Sequence, residues 1–264
     1  MASSPTRVLA VWAILLAACS AGAPAETPEP SAPGAAPATP SGDFLREERN
    51  DLLEFHYGWP AAVEAIPALR ARLASALETA RTEALAAAAE SRDLSREGRF
   101  TFSGHWYEKS WQVVGDTPAL LSLSASEHTY AGGAHPNTTF ASLLWDRRAA
   151  RPIEASALFG EAAMRRLRAR FCDAFYAAKA EADEGTMPPD PEGTYGPCPD
   201  FEGRVLVPTD ADGNRRFETL RILLDAYEAG GYVGGPLFPE IRFEAEDLAA
   251  IGPDFRPAFE AARR

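Results

Sequence analysis

A chain of 264 residues, 46% hydrophobic and 10% aromatic, holds enough apolar material for a substantial core, and its length allows one domain or two. With 38 acidic against 26 basic residues, the formal net charge is -12. Such a surface repels nucleic-acid phosphates and anionic lipid headgroups, which excludes a nucleic-acid binder, and it attracts cationic partners.

The N-terminus carries the first functional signal. Arg7 precedes an apolar run, Val8 to Ala18. That run is shorter than the ~20 residues a membrane-spanning helix needs, and it suits the apolar region of a signal peptide. It ends in Leu16-Ala17-Ala18-Cys19, which resembles a lipobox: small residues fit the peptidase pocket, and the Cys19 thiol takes the lipid. The expectation is a signal peptide over residues 1–18, cut before Cys19, and a membrane-anchored lipoprotein. Ser20 at the next position points to the outer membrane, with the protein facing the periplasm. Residues 20–42 are Ala, Pro, Ser, Thr and Glu with almost nothing to bury, so 19–42 is expected to be a disordered linker and 43–264 the folded domain.

Within the domain, Leu52–Trp59 is aromatic-rich and predicts a strand ended by Pro60. Ala61–Ser91 is rich in Ala, Leu, Arg and Glu, with Leu69, Leu73, Leu77 and Leu85 near helical spacing, and Pro67 marks a first turn or a break. Arg99–Val114, Ala119–Tyr130 and Thr138–Trp145 predict three strands, with Gly115 to Pro118 turning the first into the second. Ala155–Asp183 predicts a helix, Glu184–Asp200 a Pro-rich loop, and Phe201–Pro208 with Arg215–Leu224 a hairpin. Leu237–Phe243 predicts a last strand, followed by short helices over Glu244–Ile251 and Pro253–Ala262. Helix, then consecutive strands, then helix, then strands implies an α+β class: a largely antiparallel sheet packed with two main helices in a single domain.

With Cys19 assigned to lipid, Cys172 and Cys198 remain. An even remainder in an exported protein suggests a disulfide, on the order of 3 to 4 kcal/mol of stabilisation for such a loop; two free thiols or half of a metal site are the alternatives.

Enzymatic signatures are missing: the sequence holds no HExxH, GxSxG, Walker loop or GxGxxG after a strand. A zinc site needs three or four converging ligands, and His105, His128 and His135 lie on neighbouring strands and a turn, where they could meet. That possibility supports an alternative reading, a metal-dependent cell-wall glycan hydrolase or deacetylase. Asp210-Ala-Asp212-Gly-Asn214 looks like the start of a calcium loop. Its glycine, however, falls fourth rather than sixth and no Glu stands twelfth, so an ordinary hairpin turn is expected, with no bound metal or cofactor.

Two Gly-rich turns are the stronger features. Tyr130-Ala-Gly132-Gly133-Ala-His135-Pro-Asn137 carries glycines that permit positive φ and a proline that stiffens the exit. Tyr227-Glu-Ala-Gly-Gly-Tyr232-Val-Gly-Gly-Pro236 carries four glycines and two tyrosines, each tyrosine an apolar face with a polar tip. Both can serve as tight sheet connections or as contact surfaces, and Tyr130, Gly132, Gly133, His135, Asn137, Tyr227 and Tyr232 are the candidate ligand contacts.

The stretch YAGGAHPNTTFASLLWD, 130–146, resembles the Y-x-G-G-A-H-P/G-x-x segment of an envelope domain family of unknown function. That family includes the extracellular part of the lysozyme-sensing anti-sigma factor RsiV and the N-terminal domain of the peptidoglycan deacetylase PdaC. Pro208–Phe243 is similar to the family's second half, where Tyr227-Glu-Ala-Gly-Gly-Tyr232 stands at its Tyr-x-x-Gly-x-Tyr pattern. The resemblance covers about residues 45–260, and the Cys172 and Cys198 pair is shared with lipoprotein members. It implies an α+β domain that acts by binding, with a cationic protein such as lysozyme, or peptidoglycan, as ligand. In PdaC-like proteins the catalytic zinc site lies in a separate domain, so no catalytic residue is carried over. A purely structural envelope subunit is the third reading.

Overall fold

Leu53, Phe55, Tyr57 and Trp59 alternate along the chain, and period-two alternation places all four on one face of a strand. In the computed structural model, which describes residues 43–182 and 197–262, they form β2 (Leu53–Trp59) and all four are buried. The signal peptide, Cys19, the linker and most of the Pro-rich 184–200 loop lie outside the described residues.

After Pro60 the chain makes one helical turn, α1 (Ala61–Glu64), breaks at Ala65–Ile66, and restarts as α2 (Pro67–Gly98). Pro67 occupies the first position of α2, where its missing N–H costs nothing. The expected single helix ending at Ser91 is therefore two helices, and α2 runs about two turns further because its last residues, Arg92 to Gly98, are mostly good helix formers. It ends where Arg99 turns left-handed at φ 55°. That cap also corrects the strand expected from Arg99: β3 (His105–Asp116) starts six residues later.

The helical crossover makes β3 parallel to β2, the one parallel pairing in a six-stranded sheet of order β1-β2-β3-β4-β5-β6. β1 (Phe44–Arg49) lies antiparallel to β2; β4 (Leu120–Tyr130), β5 (Asn137–Asp146) and β6 (Arg151–Ile153) follow as antiparallel neighbours. β3 continues through Gly115 and Asp116, so the turn expected at Gly115–Pro118 is pushed to Thr117–Ala119, where Thr117 N–H donates to the Leu120 carbonyl. β1 and β6 were not expected from sequence.

Two cores form on opposite faces of this sheet. On one face α2 presses Leu69, Leu73 and Leu77, one turn apart, onto Phe55, Tyr57, Trp111, Leu121, Leu123, Leu143 and Trp145. Burying each such leucine stabilises the fold by about 1.5 to 3 kcal/mol. On the other face Leu120 and Leu144, one residue out of phase with the first set, join a cluster built on α3 (Ala155–Ala182). α3 bends where Gly160 takes φ 71°, and beyond the bend it buries Ala163, Leu167, Phe171 and Phe175 at four-residue spacing. A three-stranded antiparallel sheet, β7 (Val205–Thr209), β8 (Thr219–Leu223) and β9 (Glu240–Arg242), completes that core with Leu206, Leu220, Ile222 and Ile241. Pro208 sits within β7, an edge strand, where a missing donor is tolerated. The hairpin and final strand are shorter than expected. Of the terminal helices, the first is the single turn α4 (Ala245–Leu248) and the second shrinks to a 3-10 turn over Arg256–Ala258.

Cys172 on α3 and Cys198 stand at disulfide distance, their Cα atoms 5.6 Å apart. The architecture is α+β, with a mixed but largely antiparallel sheet and two main helices, as expected from the order of elements. Among the described residues no helix is long and apolar enough to cross a membrane.

Candidate functional site

β4 and β5 are joined by residues 131–136, in which Gly132 and Gly133 take φ 90° and 107°. A Cβ on either would meet no atom within 4 Å, so backbone conformation, and not crowding, calls for glycine there. The Tyr130 hydroxyl donates to the Gly133 carbonyl at 3.0 Å and closes the turn on itself. His135 is thereby held at the tip, half-buried, its Nδ1 3.1 Å from the Pro136 carbonyl.

The second Gly-rich segment leaves β8 and is pinched at its base, where Leu224 and Leu237 exchange both backbone hydrogen bonds at 3.0 and 3.1 Å. Within the loop the Asp225 carboxylate accepts from the N–H groups of Tyr227 and Glu228 at 2.9 and 3.0 Å, and Glu228 pairs with Arg204. These contacts fix a short helical turn that presents Tyr227 outward, 61% exposed, before Gly230 and Gly231 redirect the chain to Tyr232, 40% exposed.

The two loops meet. The Tyr227 hydroxyl lies 3.2 Å from His135 Nε2, and the Tyr232 ring stacks on the His135 imidazole with centroids 3.6 Å apart and planes 20° from parallel. Phe140 on β5 meets Phe238 edge-on at 5.1 Å just beyond the same loop, and Phe238 is 42% exposed. Of the sequence candidates, the structure gathers His135, Tyr227 and Tyr232 into one aromatic knot. Tyr130, Gly132 and Gly133 shape the turn beneath it, and Asn137 stands exposed at the start of β5.

Two neighbouring features were not read from sequence. Tyr130 and Ala131 also border an open cavity of about 1320 Å³ lined by α2, by the sheet and by residues 152–156 and 204–206. Strand register places Tyr107, Lys109, Glu127 and Thr129 on its floor; the Glu127 carboxylate accepts from the Tyr107 hydroxyl at 2.9 Å and from Lys109 Nζ at 2.8 Å. Burial and the facing Glu127 charge push the Tyr107 phenol well above its ordinary range, so it stays a donor at any physiological pH. On the opposite face, below the knot, the sheet rows Trp106–Tyr130, Glu108–His128–Thr138 and Ser110–Ser126–Phe140 are all only partly buried, a polar surface interrupted by aromatic rings. Alternation of polar and apolar residues in β3 and β4 carries the signal for both features, but only the strand register shows which residues share a row.

The histidines do not assemble a metal centre. His128 pairs with Thr138 Oγ1 at 2.8 Å, His135 is engaged by the tyrosines, and His105 Nε2 is buried without a partner among the described residues. Among those residues the one group of three or more side chains able to hold a metal contains no histidine. Strand register explains this: His105 pairs with Leu53 at the foot of β3, whereas His128 sits opposite Glu108.

Residues 46–138 match the protein-family model described as Deacetylase PdaC. The matched segment runs from β1 to the start of β5 and takes in the whole first Gly-rich turn, so the resemblance read from that turn holds; the Tyr227–Tyr232 loop lies beyond it. No curated protein matches the chain. Among solved structures, a DUF3298 family protein from Pseudomonas aeruginosa PAO1 is similar at 18% identity and a TM-score of 0.53, covering 86% of this chain and 98% of that one. A DUF3298 family member from Bacteroides fragilis is similar at 16% identity and a TM-score of 0.48, covering 82% and 95%. The first of these likenesses establishes a shared fold.

Proposed function

We propose that the domain is a non-catalytic binding module of the cell envelope whose ligand docks on the aromatic knot of His135, Tyr227 and Tyr232. The observation that carries this reading is the 3.6 Å stack of His135 on Tyr232 together with the Tyr227–His135 hydrogen bond, which ties two loops 92 residues apart into one exposed surface. Tyrosines fixed by neighbours lose little entropy on contact and dominate binding energy at interfaces. A cationic protein such as lysozyme is the ligand favoured by the net charge of -12. Peptidoglycan is the second reading, favoured by exposed tyrosine faces of the kind that stack on sugar rings and by the polar, aromatic-studded sheet surface beside them.

Retention of the purified protein on immobilised lysozyme, at low and at physiological salt, and on insoluble peptidoglycan tests the proposal. Salt-sensitive capture by lysozyme is the expected result. Capture by neither support at either salt sinks it.

The same reading places the domain outside the cytoplasm, tethered through lipid on Cys19 and stapled by a Cys172–Cys198 disulfide. The support is the lipobox-like Leu16-Ala17-Ala18-Cys19 and the geometry of the cysteine pair. The intact mass of membrane-extracted protein reads both: it should show loss of residues 1–18, added acyl mass, and no thiol reactive toward alkylation before reduction. An unprocessed mass or two alkylated cysteines contradicts the respective claim.

A further inference from the structure

β7 and β8 are joined by residues 210–218, and the geometry points to this loop as a divalent-cation site of the hard, oxygen-ligated, calcium-binding type. Carboxylate oxygens of Asp210, Asp212 and Glu218 lie within 4.8 Å of one another. Three carboxylates that close repel unless a cation or protons lie between them. Asp210 and Asp212 sit at the loop's rim, whereas Glu218 is only 9% exposed.

Glu218 supplies the second, independent observation. One of its oxygens, Oε1, accepts from the Ala211 N–H, but Oε2 is buried with no hydrogen-bond partner among the described residues. A buried carboxylate oxygen without donor or cation is costly, and nearby basic side chains do not relieve it. Arg215 reaches toward Asp116 and Arg216 toward Glu260.

The scaffold around the three carboxylates is rigid. Asp210 N–H donates to the Val114 carbonyl at 2.9 Å, anchoring the loop on β3. Asp210 in turn accepts from the Asn214 and Arg215 N–H groups at 3.1 and 2.9 Å, and the Asn214 amide bridges Asp212 and Glu260 at 3.0 and 2.6 Å. The donors are all oxygen, which selects calcium or magnesium over zinc, and a loop with carboxylates at first, third and ninth positions suits the larger, less geometrically demanding calcium ion. The sequence argued against this because the glycine is misplaced and the twelfth position is Arg221. The structure instead brings in Glu218, the ninth residue, and Arg215 itself adopts the left-handed φ of 67° that glycine holds at the sixth position of a calcium loop. A bound cation would tie the β7–β8 hairpin to β3 without touching the aromatic knot.

Chelator-treated purified protein, titrated with calcium chloride and followed by calorimetry and thermal melting, tests the site. Magnesium chloride and potassium chloride at matched ionic strength serve as controls. Expected is saturable one-to-one calcium binding with a rise in Tm, magnesium weaker by tenfold or more. Asp212→Asn, an exposed change that leaves the core untouched, should weaken calcium binding at least tenfold. Glu218→Gln should abolish it while melting no lower than chelated wild type, because it removes a buried charge. Asp93→Asn, on exposed α2, should bind as wild type. A calcium response no larger than that to potassium, or Asp212→Asn and Glu218→Gln both binding calcium like wild type, overturns the proposal.

Discussion

His135 is the residue on which the candidate surface turns. A carbonyl only accepts, so the contact with Pro136 requires the hydrogen on Nδ1, and Nε2 is left to accept from the Tyr227 hydroxyl. The ring is thus held at both nitrogens and covered on one face by Tyr232. Each of these residues was visible in the sequence as a candidate contact; that they touch was not, since no local pattern relates positions 92 apart. His105 shows a different residue-scale effect. Burial holds its imidazole below the ordinary value of 6.5. The unfolded chain therefore takes up the proton first as pH falls through 6.5, and stability drops until the folded imidazole also protonates. His105→Phe should flatten the fall in Tm between about pH 7 and pH 5 relative to wild type, read in parallel thermal melts. Identical slopes in the two proteins would show that another group is responsible.

At the scale of elements, burial patterns were legible and edges were not. β2, α2 and the outer part of α3 announce themselves through period-two and near four-residue spacing of large apolar residues. β1 reads FLREER, an edge strand whose charged residues pair with one another and with Arg81 on α2, so its hydrophobic signal is nearly empty. The Arg81 guanidinium beside Glu48 holds that carboxyl below its usual range, which shows the pairing is felt. β6 is three residues containing Pro152, too short to detect. Gly115 was read as a turn residue, but its role belongs to the packing of two elements. It lies at a register shift in β3, and a Cβ there would stand 2.3 Å from the Phe217 ring. Gly115→Ala should cost about 1 to 3 kcal/mol, the usual penalty of overpacking, in urea unfolding. Gly252→Ala, which meets nothing within 4 Å, serves as the neutral comparison. An unaltered midpoint in Gly115→Ala would show that β3 and Phe217 can separate freely.

For the whole molecule, one sheet with a helix on one face and a helix-plus-small-sheet core on the other leaves its loops to converge at one end, and the two Gly-rich turns meet there. The fold class followed from the order of predicted elements, because that order is a local property of the chain. The site depended on tertiary placement: strand register set the Tyr107–Lys109–Glu127 floor, and the crossing of β7 over β3 set the carboxylate loop. In the proposed reading net charge acts at this scale too, raising encounter with a cationic ligand at low salt while leaving the contact energy to the tyrosines.

The decisive measurement is calorimetric titration of lysozyme, and of soluble peptidoglycan fragments, into wild-type protein and into Tyr227→Ala and Tyr232→Ala. Both exposed tyrosines can be removed without opening a core. If the aromatic knot is the docking surface, at least one ligand binds wild type, and each substitution weakens it by about 2 kcal/mol, roughly thirtyfold, while the melting temperature stays near that of wild type. Binding of either ligand that is unchanged in both variants would place the contact elsewhere on the domain, and the absence of binding to either would remove the proposed activity altogether.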